Sequence, residues 1–439
     1  MTPETRYART TDGTHVAYQV HGDGLVDMVV MRGWQTNIDH EWGEPVYAGM
    51  LRRLGASARV VRLDRRGTGL SDRFDPSTPP TVESRIDDIR AALDAAGSER
   101  VVVAGFGASS SLCTFFAATY PERTAGLVLW SPPPPTLARI DAAALDADRN
   151  AIHQGWGALE RTRAAVARSA PSRLDDDDFV RWFHEERLSI TADEAAAQWR
   201  LLQQTNVEGI LSSIHVPTLV MWRAEASNVG REFASRISTA TAVELPGRDH
   251  MITSGDWRRP LAEIERFIER VADVEPESDR VLATVMFTDI VGSTERAAAI
   301  GDREWRALVD AHHAAIRRQI ARFRGREVDT AGDGFFAAFD GPARAIRAAT
   351  EIRDAVAGLG LELRIGLHAG ECERAGTGLR GVAVHVGARV SAAAAPGEVL
   401  VSSTVRDLVA GAGIVFEDAG LHSLKGVPEE WRLYRVAAV

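Results

Sequence analysis

Two aspartates stand where oxygen ligands for a divalent cation would be sought. Asp289 closes an apolar run, in Phe287-Thr-Asp-Ile-Val-Gly-Ser-Thr294, and Asp333 sits between glycines in Thr330-Ala-Gly-Asp-Gly-Phe-Phe336. Hard cations such as Mg²⁺ take carboxylate and carbonyl oxygens, and metal-assisted catalysis needs those oxygens to converge from separate segments. An Asp-Gly step alone is ordinarily just a turn; a pair carried by adjacent strands is a stronger signal. Composition marks a third residue. The chain holds 51 Lys plus Arg, and Lys425 is its single lysine, so the other 50 are arginines. Lysine is a compact point charge and arginine a planar fork, which makes Lys425 a candidate for a task that a fork performs badly. Other clusters are weaker. His312 and His313 lack a third ligand at metal-site spacing, which predicts packing of one and solvation of the other. The run Asp175 to Asp178 reads as a solvated helix start.

The elements that must position the two aspartates follow residue 280. Val281–Ile290 has the composition of a strand. Trp305, Leu308, Val309, His312, Ile316, Ile320 and Phe323 keep helical spacing. Residues 327–340 hold Gly-Asp-Gly between two β-like arms, a hairpin signature. A helix opened by Pro342, a strand over Leu361–Leu367, a helix near 381–394 and further strands complete the pattern. The order β-α-β-β-α-β predicts a ferredoxin-like α+β domain, in which the hairpin lies beside the first strand and Asp289 faces Asp333.

Four segments in this region, FTDIVGST, TAGDGFFAAF, GVAVHVGARV and LKGVPEEWRLYRV, resemble the class III adenylate/guanylate cyclase family over roughly residues 281–436. The resemblance implies a homodimer with active sites at its interface, a nucleoside triphosphate substrate and two Mg²⁺ or Mn²⁺ ions. Residue by residue it makes Asp289, Asp333 and the carbonyl of Ile290 metal ligands, Arg389 the transition-state arginine and Lys425 the triphosphate ligand. A single lysine placed at random lands on the family's triphosphate-lysine position about once in several hundred placements, and point-charge binding of phosphate supplies the reason. Three positions depart from the family pattern. The adenine-reading lysine is replaced by Asp329, its partner by Gly378, and the transition-state asparagine by His385. A carboxylate accepts hydrogen bonds from guanine N1 and N2 but donates none to adenine N1. ATP is therefore the family default, with GTP or a pyrimidine nucleotide open. A nucleotide-binding module without turnover is the further alternative.

Residues 1–271 alternate short apolar runs with helical stretches, with strands expected at Asp27–Met31, Ala58–Leu63, Arg100–Ala104, Gly126–Trp130, Thr218–Trp222 and Ala242–Leu245. This pattern predicts a parallel α/β sheet, and about 135–210 reads as a helical cap. The segments MRGW, LDRRGTGLSD, VVVAGFGASS and LPGRDH resemble the α/β-hydrolase fold. That family places a serine nucleophile on the sharp turn G-x-S-x-G after a strand. Here Gly107 occupies the nucleophile position and Ala226 the acid position, beside Glu225; only His250 stands in place. A frame shifted by two residues would make Ser109 the nucleophile but pushes it into the helix. The domain is expected to be a pseudo-hydrolase that either binds a small regulatory ligand or serves as a dimerisation scaffold; an active hydrolase is the alternative. The acidic, Pro-containing stretch 272–280 reads as the linker to the cyclase-like domain 281–439.

At 439 residues the chain is too long for one core. The net charge is −10 with no basic stripe, which argues against a nucleic-acid partner. No apolar run reaches the roughly 18 residues of a membrane span. Cys113 and Cys372 form no disulfide or metal framework, which fits a reducing, cytoplasmic setting.

Overall fold

The structure is a computed structural model, and it describes residues 2–33, 35–134, 150–226, 229–272, 279–376, 378–409, 411–427 and 430–439. It divides into two compact units, Met1–Ser278 and Asp279–Val439.

The N-terminal unit is built on an eight-stranded sheet. Strands β1 (Arg6–Arg9) and β2 (His15–His21) form an antiparallel hairpin at one edge. Strands β3 (Asp27–Met31), β4 (Arg59–Leu63), β5 (Val101–Phe106), β6 (Thr124–Trp130), β7 (Thr218–Arg223) and β8 (Ala240–Leu245) follow in the order β1-β2-β4-β3-β5-β6-β7-β8. From β4 to β8 all neighbours are parallel. Every residue of β5, β6 and β7 is buried. Sheets covered on both faces produce such unbroken apolar strands. Helices α1 (Pro45–Ser57), α2 (Val82–Ala95) and α3 (Ser109–Thr119) connect the first strands. Three helices, α4 (Leu159–Ser169), α5 (Asp177–Arg187) and α6 (Ala192–Gln204), occupy the stretch expected to be a cap; residues 135–149 of that stretch lie outside the described residues. Asp176 caps α5 by accepting from the Phe179 amide at 3.0 Å, so part of the acidic run is a helix N-cap. Helices α7 (Val229–Ser235) and α8 (Arg258–Val271) complete the unit. In α8, Leu261, Ile264, Phe267, Ile268 and Val271 repeat at three- and four-residue intervals and are buried.

The C-terminal unit begins before the expected boundary. Strand β9 starts at Arg280, and the Asp279 carbonyl already accepts from the Arg374 amide at 2.6 Å. Asp279 and Arg280 thus belong to this unit rather than to the linker; positions 273–278 lie outside the described residues. The order is β9 (Arg280–Ile290), α9 (Ser293–Ile300), α10 (Asp302–Arg322), β10 (Arg326–Ala331), β11 (Gly334–Phe339), α11 (Pro342–Ala357), β12 (Leu363–Ala375), β13 (Gly378–Arg380), α12 (Val382–Ala393), β14 (Val399–Ser402), α13 (Ser403–Leu408), β15 (Val415–Ser423) and β16 (Glu430–Ala438). The sheet runs β10-β11-β9-β12-β14-β16-β15. Its first four strands have the ferredoxin-like order, with β9 central and antiparallel to both β11 and β12. Helix α10 meets one face, where its His312 and His313 approach Phe335. Helix α12 covers the other, where Ala383 packs with Val281, Val285 and Cys372. A Cβ on Gly366 would collide with the Ser391 backbone, so glycine there lets α12 lie close on β12.

Candidate active site

The β9–β11 register brings the two aspartates together. Phe335 pairs with Thr288 and Phe336 with Phe287, so the hairpin turn that precedes β11 falls beside the C-terminal end of β9. Gly332 opens that turn at φ +65°, as a two-residue hairpin loop with glycine first requires. Asp333 follows it. The Phe335 amide donates to Thr288 Oγ1 at 3.3 Å and ties the strands at this point. Asp333 Oδ2 is buried and, among the described residues, has no hydrogen-bond partner. Partial burial, and second the Asp333 charge, lift the Asp289 carboxyl above the usual carboxylate range, while Arg364 opposes the shift. Two carboxylates that repel, one with an orphaned buried oxygen, fit a divalent cation between them. The Ile290 backbone closes β9 next to them. Among the described residues no group of three or more His, Cys, Asp or Glu converges, so a cation here would rely on these two carboxylates and backbone oxygen.

Alternation along the strands puts further residues on the same face as Asp289. Phe287 and Phe336 stack there, with centroids 4.5 Å apart and planes at 9°. Asp329 pairs with Phe336 across the β10–β11 ladder, just past a bulge at Glu327/Asp329. Its carboxylate is exposed and accepts from the Thr330 amide at 2.9 Å. Gly378 opens β13, paired with Ala375, and β13 approaches β10. The elements that carry the two positions expected to read the base are therefore neighbours.

His385 and Arg389 are one turn apart on the exposed face of α12, opposite Val386 and Val390. Lys425 is exposed in the turn between β15 and β16, where the Val427 amide bonds the Leu424 carbonyl. Among the described residues none of the three bonds to Asp289 or Asp333. One chain thus brings the carboxylates together, and among the described residues no bond joins the three cationic or proton-bearing side chains to them.

Two supporting residues carried no signal of their role in the sequence. His313 Nε2 donates to the Gly332 carbonyl at 3.2 Å, and its ring meets Phe335 edge-on at 5.0 Å. It buttresses the Asp333 turn. His312 is fully buried beside it, and burial pushes its imidazole down to about 4. His312 is packed as expected, whereas His313, expected to be solvated, is half-buried against Phe335 and the Gly332 carbonyl. Arg364 lies directly opposite Asp289 in the β9–β12 ladder.

In the N-terminal unit, Gly107 follows β5 at φ +59°, on the sharp turn into α3. A Cβ there would meet nothing within 4 Å, so the elbow is retained with no nucleophilic side chain on it. Ser109 is in α3 and buried. Its hydroxyl contacts the carbonyl oxygens of Arg32 at 3.0 Å and Gly33 at 2.8 Å and accepts from Arg65 Nη1 at 3.0 Å. It is a tether rather than a nucleophile. Ala226 closes a turn on the Arg223 carbonyl, and Glu225 is exposed beside it. The His250 backbone is engaged, its amide donating to Ser169 and its carbonyl accepting from Trp130 Nε1 at 2.7 Å. Among the described residues its ring has no carboxylate partner.

Comparison with known proteins agrees with both halves. The alpha/beta hydrolase family matches residues 20–267, and the adenylate and guanylate cyclase catalytic domain matches residues 275–438. The chain is 34% identical over 265 residues to RutD of Caulobacter sp. (strain K31), a proposed carbamate hydrolase, covering 56% of this chain and 91% of that protein. It is 25% identical over 290 residues to an uncharacterized protein of Mycobacterium tuberculosis (strain H37Rv), covering 64% and 75%. A hydrolase from Pseudomonas aeruginosa PA01 superposes with a TM-score of 0.52 at 23% identity, covering 62% of this chain and 99% of that one, which shows the fold alone. The chain belongs to the alpha/beta hydrolase family and carries a class III nucleotidyl cyclase catalytic domain after it. No helix among the described residues is long and apolar enough to cross a membrane.

Proposed function

We propose that this protein closes a nucleoside triphosphate into its 3′,5′-cyclic monophosphate, releasing pyrophosphate, at sites shared between two copies of the chain. The observation that carries the proposal is the Asp289–Asp333 pair, with its raised carboxyl and its orphaned buried oxygen. Asp289, Asp333 and the Ile290 carbonyl would hold two Mg²⁺ or Mn²⁺. When bound, such ions supply acidity to the ribose 3′-hydroxyl and neutralise the triphosphate. The 3′-oxygen attacks the α-phosphorus in line and the bond to pyrophosphate breaks. Negative charge grows on the phosphoryl oxygens, and the Arg389 guanidinium stabilises it. His385, one turn before Arg389, donates to phosphate or orients that guanidinium. Lys425 holds the terminal phosphates as a point charge. Both residues of α12 come from the partner copy, consistent with the absence, among the described residues, of any bond from them to the carboxylates of their own chain. ATP is the default substrate. GTP is a second reading, favoured because the exposed carboxylate of Asp329 can accept hydrogen bonds from guanine N1 and N2.

The hydrolase-like domain is proposed to be catalytically silent and to regulate the cyclase, because Gly107 and Ala226 supply neither nucleophile nor acid. The test is incubation of the full chain with Mg²⁺ or Mn²⁺ and each of ATP, GTP, CTP and UTP, with products identified by mass spectrometry. A cyclic product from one base, absent with Asp289→Ala, supports the proposal and fixes the base. Nucleotide binding with no product from any base would replace it with a non-catalytic binding module.

A further inference from the structure

Helix α10 grips the hairpin that carries Asp329 and Asp333 at two places, one helical turn apart. His313 holds the turn through the Gly332 carbonyl. Arg317, four residues on and so on the same helix face, holds the first arm. Its Nε donates to Glu327 Oε2 at 2.8 Å and its Nη2 to Glu327 Oε1 at 2.9 Å, while the guanidinium lies over the Phe335 ring, 5.4 Å from its centroid. Glu327 Oε1 also accepts from Thr330 Oγ1 at 2.6 Å. These bonds, that of Arg317 first and that of Thr330 second, pull the Glu327 carboxyl down to about 2, so it stays ionised at neutral pH. Thr330 reaches both ways: its hydroxyl goes to Glu327 and its amide to Asp329 Oδ1 at 2.9 Å.

Strand residues three apart ordinarily point to opposite faces. Glu327 and Thr330 share a face because β10 carries an extra residue between them. Glu327 pairs with Ala337 and Asp329 with Phe336, so Val328 is the bulged residue. Directly paired residues point the same way. Glu327 and Thr330, opposite Ala337 and Phe335, therefore lie on the face that meets α10. Val328 and Asp329 both lie on the other face. There Val328 and Phe336 join the cluster that holds Ala383 of α12, and Phe336 stacks on Phe287. Without the bulge the ladder would continue Val328 to Phe336, Asp329 to Phe335 and Thr330 to Gly334. Asp329 would then turn to the α10 face and Thr330 away from Glu327. The bond between Thr330 and Glu327 thus exists only in the bulged register, and it is the register that aims Asp329.

We propose that Arg317, Glu327 and Thr330 are positioning residues that set base selectivity: together they lock the bulge, and the bulge presents Asp329 on the face of Phe287 and Phe336. The inference rests on the reading of Asp329 as a base-recognition residue in a nucleotide site. Arg317 is half-exposed and Glu327 a third exposed, so their pair adds little to global stability. What it decides is a local choice between two registers of one edge strand, which a small bias settles.

Isothermal titration calorimetry on the full chain with Mn²⁺ tests it, using the 3′-deoxy forms of ATP, GTP, CTP and UTP. These keep base and triphosphate but lack the oxygen that would attack. The unmodified chain should prefer one base by at least about tenfold. Thr330→Val, which keeps the β-branched shape and loses the hydroxyl, and Arg317→Met should each cut that preference by at least about threefold, through weaker binding of the preferred base. Affinity for the other three should stay within about threefold; a general loosening of the hairpin would weaken all four alike, because metal and triphosphate are common to them. Melting temperatures should stay within about 3 °C. Thr330→Ser should keep most of the preference and Arg317→Lys a part. Asp329→Ala should itself lose the preference, and adding Arg317→Met to it should change nothing further, since Arg317 acts through Asp329. No base preference in the unmodified chain, a smaller cut in either variant, equal weakening for all four bases, or a preference that survives Asp329→Ala would each overturn the inference. Failure of the cyclase reading has a separate signature: base-selective binding of the 3′-deoxy nucleotides with no cyclic product from any of ATP, GTP, CTP or UTP.

Discussion

Asp289 and Asp333 are held close by backbone pairing, whatever their charges prefer. The ladder from β9 to β11 fixes them, and Arg364 is a compensating cation opposite Asp289. Asp289→Asn and Asp333→Asn should each abolish product and abolish the Mn²⁺-induced rise in melting temperature. The cation-free melting temperature should hold or rise, since a repulsion has been removed. Product formation within about tenfold of the unmodified chain in either variant would remove these residues from the mechanism. His313 acts through the Gly332 carbonyl rather than on substrate. His313→Ala should weaken the apparent Mn²⁺ affinity by about 10- to 100-fold, the usual cost of losing a support behind a metal ligand. His313→Gln, which can still donate to that carbonyl, should recover part of it. Unchanged Mn²⁺ dependence in His313→Ala would leave the residue as packing only. The two aspartates were legible in the sequence because each sits in a turn-and-strand context with its own pattern. His313 and Arg364 were not, because what they do exists only once α10 and β12 have met the hairpin and β9.

Strand β12 carries His368 into the core, where its Nδ1 lies 2.8 Å from Ser402 Oγ of β14 and Trp431 of β16 packs edge-on against the ring. Burial pushes this imidazole from 6.5 down to about 4. The folded state therefore holds it neutral, while the unfolded chain takes up a proton as pH falls below 6.5. The stability it contributes is complete above pH 6.5 and is lost progressively between 6.5 and 4, with a limiting slope of about 1.4 kcal/mol per pH unit. Hydrogen exchange over β12 and β14 should accelerate between pH 7 and 5 beyond its intrinsic pH dependence, and His368→Asn should flatten that excess. An identical excess in the variant would assign the pH dependence elsewhere. The central strands of both sheets were readable from sequence because burial on both faces makes them continuous apolar runs; β3 begins and ends where its run does. Strands β1 and β15 were not readable. Arg6–Arg9 buries one residue in four, and Val415–Ser423 has no fully buried position. These strands are held by pairing with β2 and β16, which no local pattern announces.

Among the described residues no bond joins the carboxylates at the end of β9 to Arg389 and His385 on the exposed face of α12, the groups that the proposed chemistry needs together. The proposed two-fold dimer would join them, because each copy would lend α12 to the other's carboxylates and two equivalent sites would result. Arg389→Ala alone should lower turnover by about 10²–10³-fold, as loss of one charge-stabilising donor does. Mixing is the sharper experiment. In a heterodimer of an Asp289→Asn chain and an Arg389→Ala chain, one site collects both defects and the other collects neither. Free exchange at equal amounts makes half of the dimers mixed, each with one intact site of two, so activity should return to about a quarter of the unmodified level. A chain carrying both substitutions behaves oppositely. Mixed with the unmodified chain, it spoils both sites of every heterodimer, so only the quarter of dimers that are unmodified homodimers remain active. If each site were built within one chain, the first mixture would stay inactive and the second would keep half its activity. The two mixtures together decide whether the active site belongs to one molecule or to a pair.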